Sequence, residues 1–207
     1  MGRVLLVNGS AHEKGCTYTA LMEAAKVLKA HGIESELLQI GTKPVAGCIA
    51  CGKCAETGRC IFTDQVNEIG PRLPEFDALI VGSPVYYSGP SAQVCAFMDR
   101  LCYAYGAKLA NKLAASVVSC RRGGATAAFE RLNQYYLMEN MIVVGSQYWN
   151  QIHGRMAEDA LKDAEGLQTM RTLAENMAWL IRSVEAGRQA GISAPVYEAK
   201  QWTNFIR

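Results

Sequence analysis

Short apolar runs typical of buried strands alternate along this chain with segments that have the period of helices. The apolar runs are Arg3–Asn8, Ser35–Ile40, Ala78–Val81, Ala114–Ser119 and Met141–Val144. The segments with a helical period are Thr17–His31, Asp64–Leu73, Ser91–Tyr105, Thr126–Met138 and Ala157–Ala186. Continuously apolar strands are buried on both faces, and their alternation with helices requires right-handed crossovers in a parallel sheet. The pattern therefore predicts an α/β fold with three layers.

Five strands suffice for the flavodoxin-like order 2-1-3-4-5, which we predict for this parallel sheet. The chain has 207 residues, half of them apolar, and can bury one sizeable core without a second domain. We therefore expect one flavodoxin-like domain over residues 1–190, with a cysteine-rich insert at 47–61. Residues 191–207 have no helical period and are predicted to form a C-terminal tail.

Charge and hydropathy argue against several classes of partner. The formal net charge is +2 with basic and acidic residues interspersed, so no concentrated field favours nucleic acid or an anionic membrane. The first residues contain an apolar run of four and no cleavage site, and no stretch approaches the ~18 apolar residues of a membrane span. We expect a cytoplasmic protein whose eight cysteines are reduced and free to bind metal.

Four cysteines, Cys48, Cys51, Cys54 and Cys60, lie within thirteen residues. Three of them recur at every third position, so their thiolates can converge on one metal centre, with Cys60 as a fourth ligand. The spacing differs from a clostridial-type ferredoxin repeat, because five residues precede the last cysteine and Ile61 follows it. A zinc site usually combines two separated C-x2-C pairs, which this run lacks. The run favours an iron-sulfur cluster, with zinc and free thiols as open alternatives.

The segment after the first strand, Gly9–Thr17, ends where a helix is predicted to begin. Its two glycines allow the backbone to turn, Ser10 and Thr17 supply hydroxyls, and the first amides of the helix face the same space. Cys16 stands where a nucleotide-triphosphate loop has its lysine, and the segment is not G-x-G-x-x-G. We predict an anion cradle suited to a terminal monophosphate. The alternative is an ordinary helix with Thr17 as its N-cap.

The segment after the third strand, Gly82–Ser91, contains two prolines, two glycines and a pair of tyrosines. Proline stiffens the turn and removes amide donors, so a few fixed backbone groups can bind the rim of a planar heterocycle while a tyrosine covers its face. The candidate binding residues are Ser83, Pro84, Val85, Tyr86 and Tyr87. The alternative is that the two tyrosines only cover the core beneath this loop.

A third segment follows the fourth strand, and its candidate binding residues are Cys120, Arg121, Gly123 and Gly124. Its arginines neutralise a cofactor or pyridine-nucleotide phosphate, or they are simply solvated. In doubly wound parallel sheets, ligands bind at the carboxyl ends of the strands where the winding direction reverses. We therefore expect the three segments to form one site.

Three motifs in this order resemble the iron-sulfur flavoprotein branch of the NAD(P)H-dependent FMN reductases, over roughly residues 3–155. They are GSxxxxGCT from Gly9, CxxCxxCxxxxxC from Cys48, and GSPVYYSGPSAQ from Gly82, with FMDR after it. The resemblance implies FMN as the cofactor and a [4Fe-4S] cluster on the four cysteines. The wider family includes members with similar cysteine loops and no demonstrated cluster, so free thiols stay an alternative.

The resemblance also implies a role for each segment. Ser10, Cys16 and Thr17 would hold the FMN phosphate, and Lys14 and Gly15 in the same segment are further candidate binding residues. Lys14 would replace an arginine, because Ala-His follows Ser10 where the family often has Pro-Arg. The isoalloxazine ring would lie against Pro84, Val85 and Tyr86, and residues 120–124 would close over it.

The implied function is an FMN-dependent oxidoreductase with NAD(P)H as the transient electron donor. Electrons would pass to a small-molecule redox substrate or an electron-transfer protein, by way of the cluster where one is present. Hydride transfer to a flavin needs no general base, so we assign no catalytic residue. One alternative is an iron-sulfur flavoprotein that carries electrons and is reduced by ferredoxin. Another is a thiol or zinc module with a vestigial cradle.

Members of this family usually form dimers or tetramers, and aromatic residues near helix ends favour the same expectation here. These residues are found in Leu101–Tyr105, Tyr135–Tyr136 and Tyr148–Trp149. They exceed what a single core readily explains, although they could also complete the core of the monomer. We expect a homodimer or homotetramer.

Overall fold

The computed structural model describes residues 2–203 and contains one parallel sheet between two layers of helices. Its strands are β1 (Arg3–Asn8), β2 (Glu34–Gln39), β3 (Ala78–Pro84), β4 (Leu113–Cys120), β5 (Ile142–Val143) and β6 (Gln151–His153). The main order is β2-β1-β3-β4-β5, and every pairing is parallel. The structure confirms the predicted flavodoxin-like order and the three-layer α/β class.

Helices cover both faces of this sheet. They are α1 (Cys16–Ala30), α2 (Lys53–Thr57), α3 (Gln65–Ile69), α4 (Ala92–Tyr105), α5 (Ala125–Met138), α6 (Ala157–Ala160) and α7 (Ala164–Gln189). On one face α1 and α7 share a core with Val4 and Leu6, and on the other α4 and α5 share a core with Leu5 and Val7. Successive residues of β1 thus enter opposite cores, which explains its continuous apolar run.

The edge of the sheet beside β4 consists of two short strands where the sequence predicted one. β5 pairs with the start of β4, at Leu113 and Ala114, whereas β6 pairs with its end, at Val118–Cys120. Residues 144–150 leave the sheet between them. The sequence prediction lacks β6, because a strand of three residues is too short for apolar alternation to identify it.

The predicted helix over Ala157–Ala186 is divided into α6 and α7. Asp163 lies at the break and caps α7, since its carboxylate accepts a hydrogen bond from the Gly166 amide at 2.9 Å. The same carboxylate accepts from the His153 amide at 2.7 Å, which ties the break to β6. These two hydrogen bonds stabilise a break in the helix at Asp163, where the helical period of the sequence predicts one continuous helix.

The predicted helix over Asp64–Leu73 ends early, at Ile69. The chain continues as a 3-10 helix over Gly70–Glu75, which contains Pro71 and Pro74. Proline has no amide proton for the α-helical hydrogen bond, so the α-helix cannot extend through this segment.

After α7, residues 192–203 contain no helix or strand and are exposed. The Tyr197 hydroxyl donates to Asn111 Oδ1 at 2.7 Å and ties this segment to the residues before β4. Met1, in the predicted domain, and residues 204–207, in the predicted tail, lie outside the described residues. No helix within residues 2–203 is long and apolar enough to cross a membrane.

Candidate functional site

A cavity of about 620 Å³, here called the edge cavity, lies at the carboxyl ends of β1, β3 and β4. Ten of the predicted site residues line it: Ser10, Lys14, Gly15, Cys16, Thr17, Pro84, Val85, Tyr86, Cys120 and Arg121. Four others do not line it: Ser83, Tyr87, Gly123 and Gly124. The structure therefore brings all three predicted segments to one place, where the winding of the sheet reverses.

Helix α1 begins at the edge cavity without a side-chain cap. Gly15 is the N-cap residue, and Cys16 and Thr17 are the first two helical residues. The alternative in which Thr17 caps this helix is therefore wrong. The first-turn amides of a helix have no partner within the helix, and they lie at the positive end of its dipole. This helix start is suited to an anion.

Ser10 is fixed in the loop after β1 by hydrogen bonds on its backbone. Its amide donates to Asn8 Oδ1 at 3.1 Å, and its carbonyl accepts from Gln39 Nε2 at 2.7 Å. Its hydroxyl accepts from the His12 amide at 3.1 Å. Within residues 2–203 this hydroxyl donates to no acceptor, so its proton is available to a ligand in the edge cavity.

The loop after β3 closes in a tight turn. Tyr86 and Gly89 exchange both backbone hydrogen bonds, at 2.8 and 2.9 Å. Between them, Tyr87 and Ser88 have φ angles of 49° and 61°, in the left-handed region. The turn leaves Tyr87 fully exposed and outside the edge cavity, whereas Tyr86 stays at its wall. Neither ring covers the core, so that alternative is wrong.

Ser83 supports the same loop from beneath. It is fully buried, and its hydroxyl donates to the Pro84 carbonyl at 2.8 Å and accepts from the Ser91 amide at 2.9 Å. Ser91 in turn donates to the Gly9 carbonyl at 2.7 Å. Ser83 therefore shapes the wall of the edge cavity without being part of it.

Gly124 brings the loop after β4 against the loop after β3. Its φ is +87°, and an added Cβ would lie 2.9 Å from Ser88 Cα and 3.0 Å from Val85 Cγ1. Only glycine fits such a close approach at positive φ. An added Cβ at the neighbouring Gly123 would meet nothing within 4 Å. Of the two predicted glycines, Gly124 is thus the one that maintains contact between the loops.

Residues after β6 form part of the edge cavity that sequence reasoning missed. They are Gly154, Arg155, Met156, Ala157 and Glu158. Cys16 Sγ donates to the Met156 carbonyl at 3.2 Å and connects this segment to α1. In the sequence, the only local sign of this loop is Gly154, which follows the three residues of β6. A single glycine does not distinguish a loop at a binding site from an ordinary turn.

The two thiols at the edge cavity are kept in their neutral form by the protein. Burial raises the pKa of Cys16 above its ordinary value of 9.0, and burial does the same for the pKa of Cys120. Both are therefore protonated in neutral solution. Cys16 acts as a hydrogen-bond donor here, and neither thiol is poised as a nucleophile.

The clustered cysteines Cys48, Cys51, Cys54 and Cys60 line a second cavity, of about 160 Å³, here called the cysteine cavity. The rest of its wall is Ile49, Ala50, Gly52, Ile61, Phe62, Arg100, Tyr103 and Ala104. All four thiols are free. Within residues 2–203, no group of three or more His, Cys, Asp or Glu side chains is arranged to hold a metal ion. The donor chemistry of four thiols around one apolar space fits an iron-sulfur cluster or zinc.

The two cavities share no lining residue. The chain that leads from β2 to the cysteines nevertheless contacts the loop after β1, which lines the edge cavity. An added Cβ at Gly41 would lie only 2.0 Å from the Ser10 carbonyl oxygen. The chain after β2 therefore packs directly on the loop that follows β1.

The sheet order and the cavity at its carboxyl edge define a flavodoxin-like α/β protein. A solved structure of a flavodoxin from the domain Archaea has a similar fold, with a TM-score of 0.61 and 14% identity over 87% of this chain and 99% of that one. The family model described as NADPH-dependent FMN reductase matches residues 2–154. The chain belongs to this family, as its motifs predicted.

Two curated relatives belong to the iron-sulfur flavoprotein branch by name. Iron-sulfur flavoprotein MJ1083 of Methanocaldococcus jannaschii is 33% identical over 191 residues, covering 88% of this chain and 99% of the relative. An iron-sulfur flavoprotein of Methanosarcina thermophila is 30% identical over 169 residues, covering 80% and 87%. The recognised branch is therefore confirmed.

Proposed function

We propose that this protein is an FMN-dependent oxidoreductase whose cofactor binds in the edge cavity. The observation that carries the proposal is the meeting of the uncapped start of α1 with the loop at Pro84–Tyr86 around one space. The helix start offers an anion site, and the loop offers a stiff wall for a flat ring. The family description and the names of the relatives support the same cofactor.

In this proposal the FMN phosphate lies against the start of α1. The amides of Cys16 and Thr17 and the hydroxyls of Ser10 and Thr17 donate to it. Gly15 begins the helix at this point, and its own amide donates to the His12 carbonyl at 3.3 Å. Lys14 supplies positive charge at the same wall of the cavity. These are the groups that the sequence motif predicts for the phosphate.

The isoalloxazine ring then lies against Pro84, Val85 and Tyr86. Cys120 and Arg121 line the same cavity from the end of β4. Gly124 beside them brings this loop into direct contact with the loop after β3. These residues orient the ring and exclude water from one of its faces.

We further propose that Cys48, Cys51, Cys54 and Cys60 bind a [4Fe-4S] cluster. The support is their common cavity together with relatives named as iron-sulfur flavoproteins. When bound, FMN accepts a hydride or single electrons, and such a cluster exchanges one electron at a time. Cys54 and Cys60 are partly buried at this cavity, whereas Cys48 and Cys51 are exposed.

NAD(P)H is the proposed electron donor, because the family description names NADPH. The proposed acceptor is a small-molecule redox substrate or an electron-transfer protein.

A second candidate function is an electron carrier that ferredoxin reduces, and the four-cysteine cavity favours it. Anaerobic mixing with NADH, NADPH or reduced ferredoxin distinguishes the two. Rapid bleaching of the flavin by a nicotinamide supports the reductase, and bleaching by ferredoxin alone supports the carrier.

Anaerobic purification with visible spectra and assays of iron and sulfide tests the cofactors. We expect flavin bands together with broad iron absorption. Flavin without iron or sulfide would contradict the cluster and leave the FMN proposal standing. A colourless protein that takes up no FMN, with or without zinc, would overturn the proposed function.

We also propose a homodimer or homotetramer. Tyr103, Tyr148 and Trp149 are exposed and available for a subunit interface, whereas the rings of Tyr105, Tyr135 and Tyr136 are buried in the monomer. The exposed subset alone therefore supports the proposal. Light scattering on the eluting protein tests it, and a monomeric mass across the accessible concentration range would contradict it.

A further inference from the structure

Arg100 is a fully buried arginine in the third turn of α4, and it lines the cysteine cavity. Its Nε donates to Cys60 Sγ at 3.2 Å. Its Nη1 and Nη2 donate to the two carboxylate oxygens of Asp64, at 2.6 and 2.8 Å. Nη1 also donates to the Ala46 carbonyl at 3.2 Å, and the guanidinium lies 4.8 Å from the centre of the Phe62 ring.

All of these partners belong to residues 46–64, which carry the four cysteines. Charged side chains are almost never fully buried unless they are paired, because the loss of hydration is costly. Asp64 neutralises the charge of Arg100 in a bidentate ion pair, which uses both terminal nitrogens of the guanidinium. The Nε proton is thereby left for the sulfur of Cys60.

The pairing fixes the direction of the Nε–Sγ contact. The guanidinium is planar and rigid, so once Asp64 holds its two terminal nitrogens, the Nε–H bond has one orientation. That bond ends on the sulfur of the cysteine that lies furthest along the chain from the other three. Hydrogen bonds to ligand atoms orient them and commonly decide metal affinity and redox potential.

We propose that Arg100 is a positioning residue for metal binding, which holds the Cys60 sulfur toward the other three thiols. The inference rests on the proposed function in taking the four cysteines as metal ligands. Arg100 should orient the Cys60 sulfur both with and without a bound metal or cluster. An ammonium at this position can pair with Asp64, but it lacks the fixed side donor that reaches Cys60.

Cobalt titration of cluster-free protein tests this, because Co²⁺ bound by thiolates absorbs visible light and needs no assembled cluster. Four proteins are compared: wild type, Arg100→Lys, Cys60→Ser, and the double variant. We expect Arg100→Lys to lower the Co²⁺ affinity at least about tenfold when Cys60 is present, as loss of a partner of a metal ligand does. In the Cys60→Ser background we expect no further loss, because the effect acts through that sulfur.

An equal loss in both backgrounds would show that Arg100 only braces the loop, and no loss in either would show that it is irrelevant to the thiols. Either result overturns the proposal, as does a wild-type protein that binds no Co²⁺. If Arg100→Lys does not fold, Arg100→Gln combined with Asp64→Asn replaces it, because this pair leaves no unpaired charge.

A second measurement separates this inference from the proposed function. If the purified protein holds a cluster, Arg100→Lys should lower its midpoint potential, because it removes the hydrogen bond to Cys60 Sγ, and hydrogen bonds to the sulfurs favour the reduced form. If no cluster assembles, the cluster proposal fails. The comparison of Co²⁺ affinities among the four proteins still decides the role of Arg100.

Discussion

Thr17 Oγ1 lies 2.8 Å from Ser119 Oγ, and this hydrogen bond joins the first turn of α1 to the end of β4. Both side chains are buried, and both residues line the edge cavity. The pair therefore connects the proposed phosphate site with the loop that is proposed to close over the flavin ring.

Thr17→Val should weaken FMN binding by about 1.5 to 3 kcal/mol, because it removes a hydroxyl hydrogen bond to a charged phosphate. Fluorescence titration of the cofactor-free protein measures the effect. Ser119→Ala is the matched control, since it breaks the same buried hydrogen bond without removing the hydroxyl of Thr17. An unchanged affinity in Thr17→Val, or an equal loss in Ser119→Ala, would refute a direct role for Thr17.

Gly124→Ala should lower FMN affinity and thermal stability. A Cβ at a φ of +87° costs about 1 to 2 kcal/mol in backbone strain, and here it would also press on Ser88 Cα. Gly123→Ala is the control in the same loop, because its Cβ would enter open space. Equal behaviour of the two variants, in flavin titration and thermal melts, would mean that the contact between these loops is not needed.

Gly41→Ala should also reduce FMN affinity, although Gly41 lies outside the edge cavity. Its Cβ would overlap the Ser10 carbonyl and displace the loop that presents the Ser10 hydroxyl. Gly47→Ala, in the same segment, meets nothing within 4 Å and should bind FMN as the wild type does. Wild-type affinity in Gly41→Ala would show that the cradle tolerates displacement of Ser10.

The free energy of unfolding should fall at alkaline pH, in part because the buried Tyr136 hydroxyl stays protonated in the folded state. Burial raises the pKa of its hydroxyl well above the ordinary 10.0, so the folded state keeps a proton that the unfolded state loses. Its stabilising contribution is complete below about pH 10 and declines as the pH rises toward the folded pKa. The decline is about 1.4 kcal/mol per pH unit.

Tyr136→Phe removes this ionisation, so its free energy of unfolding should fall less steeply with pH than that of the wild type. Urea denaturation at several values above about pH 10 measures the slope. Tyr103→Phe, at an exposed ring, is the control and should keep the wild-type slope. A wild-type slope in Tyr136→Phe would contradict the assignment.

Cys51→Ser should abolish the cluster and leave FMN bound, because the two cavities share no lining residue. Iron, sulfide and flavin content after anaerobic purification measure both outcomes. Retention of the full iron content would exclude Cys51 as a ligand. Loss of iron and flavin together would mean that the cysteine segment braces the edge cavity through contacts such as that of Gly41.

The centre of the sheet could be predicted from the sequence, but its edge could not. Strands buried on both faces must be continuously apolar, as Val4–Val7 and Leu79–Val81 are. The edge strands β5 and β6 have two and three residues and carry no periodic signal. The helix break at Asp163 depends on the His153 amide, a contact that local periodicity cannot register.

The site segments were predictable because each follows a strand that ends at the same edge of the sheet. The sequence could not predict which residues of these segments face the cavity, because that depends on the geometry of the turns. Tyr86 lines the cavity, but two left-handed residues turn its neighbour Tyr87 into solvent. Arg100 was visible only as part of a family motif, because its partners lie far from it along the chain.

Titration of FMN and of riboflavin into cofactor-free protein tests most directly whether the edge cavity holds a flavin by its phosphate. Riboflavin has the same ring system and lacks only the phosphate. We predict one FMN bound per chain, and riboflavin bound at least about tenfold more weakly, because it cannot use the start of α1. Equal affinity for the two ligands, or binding of neither, would contradict the proposed site.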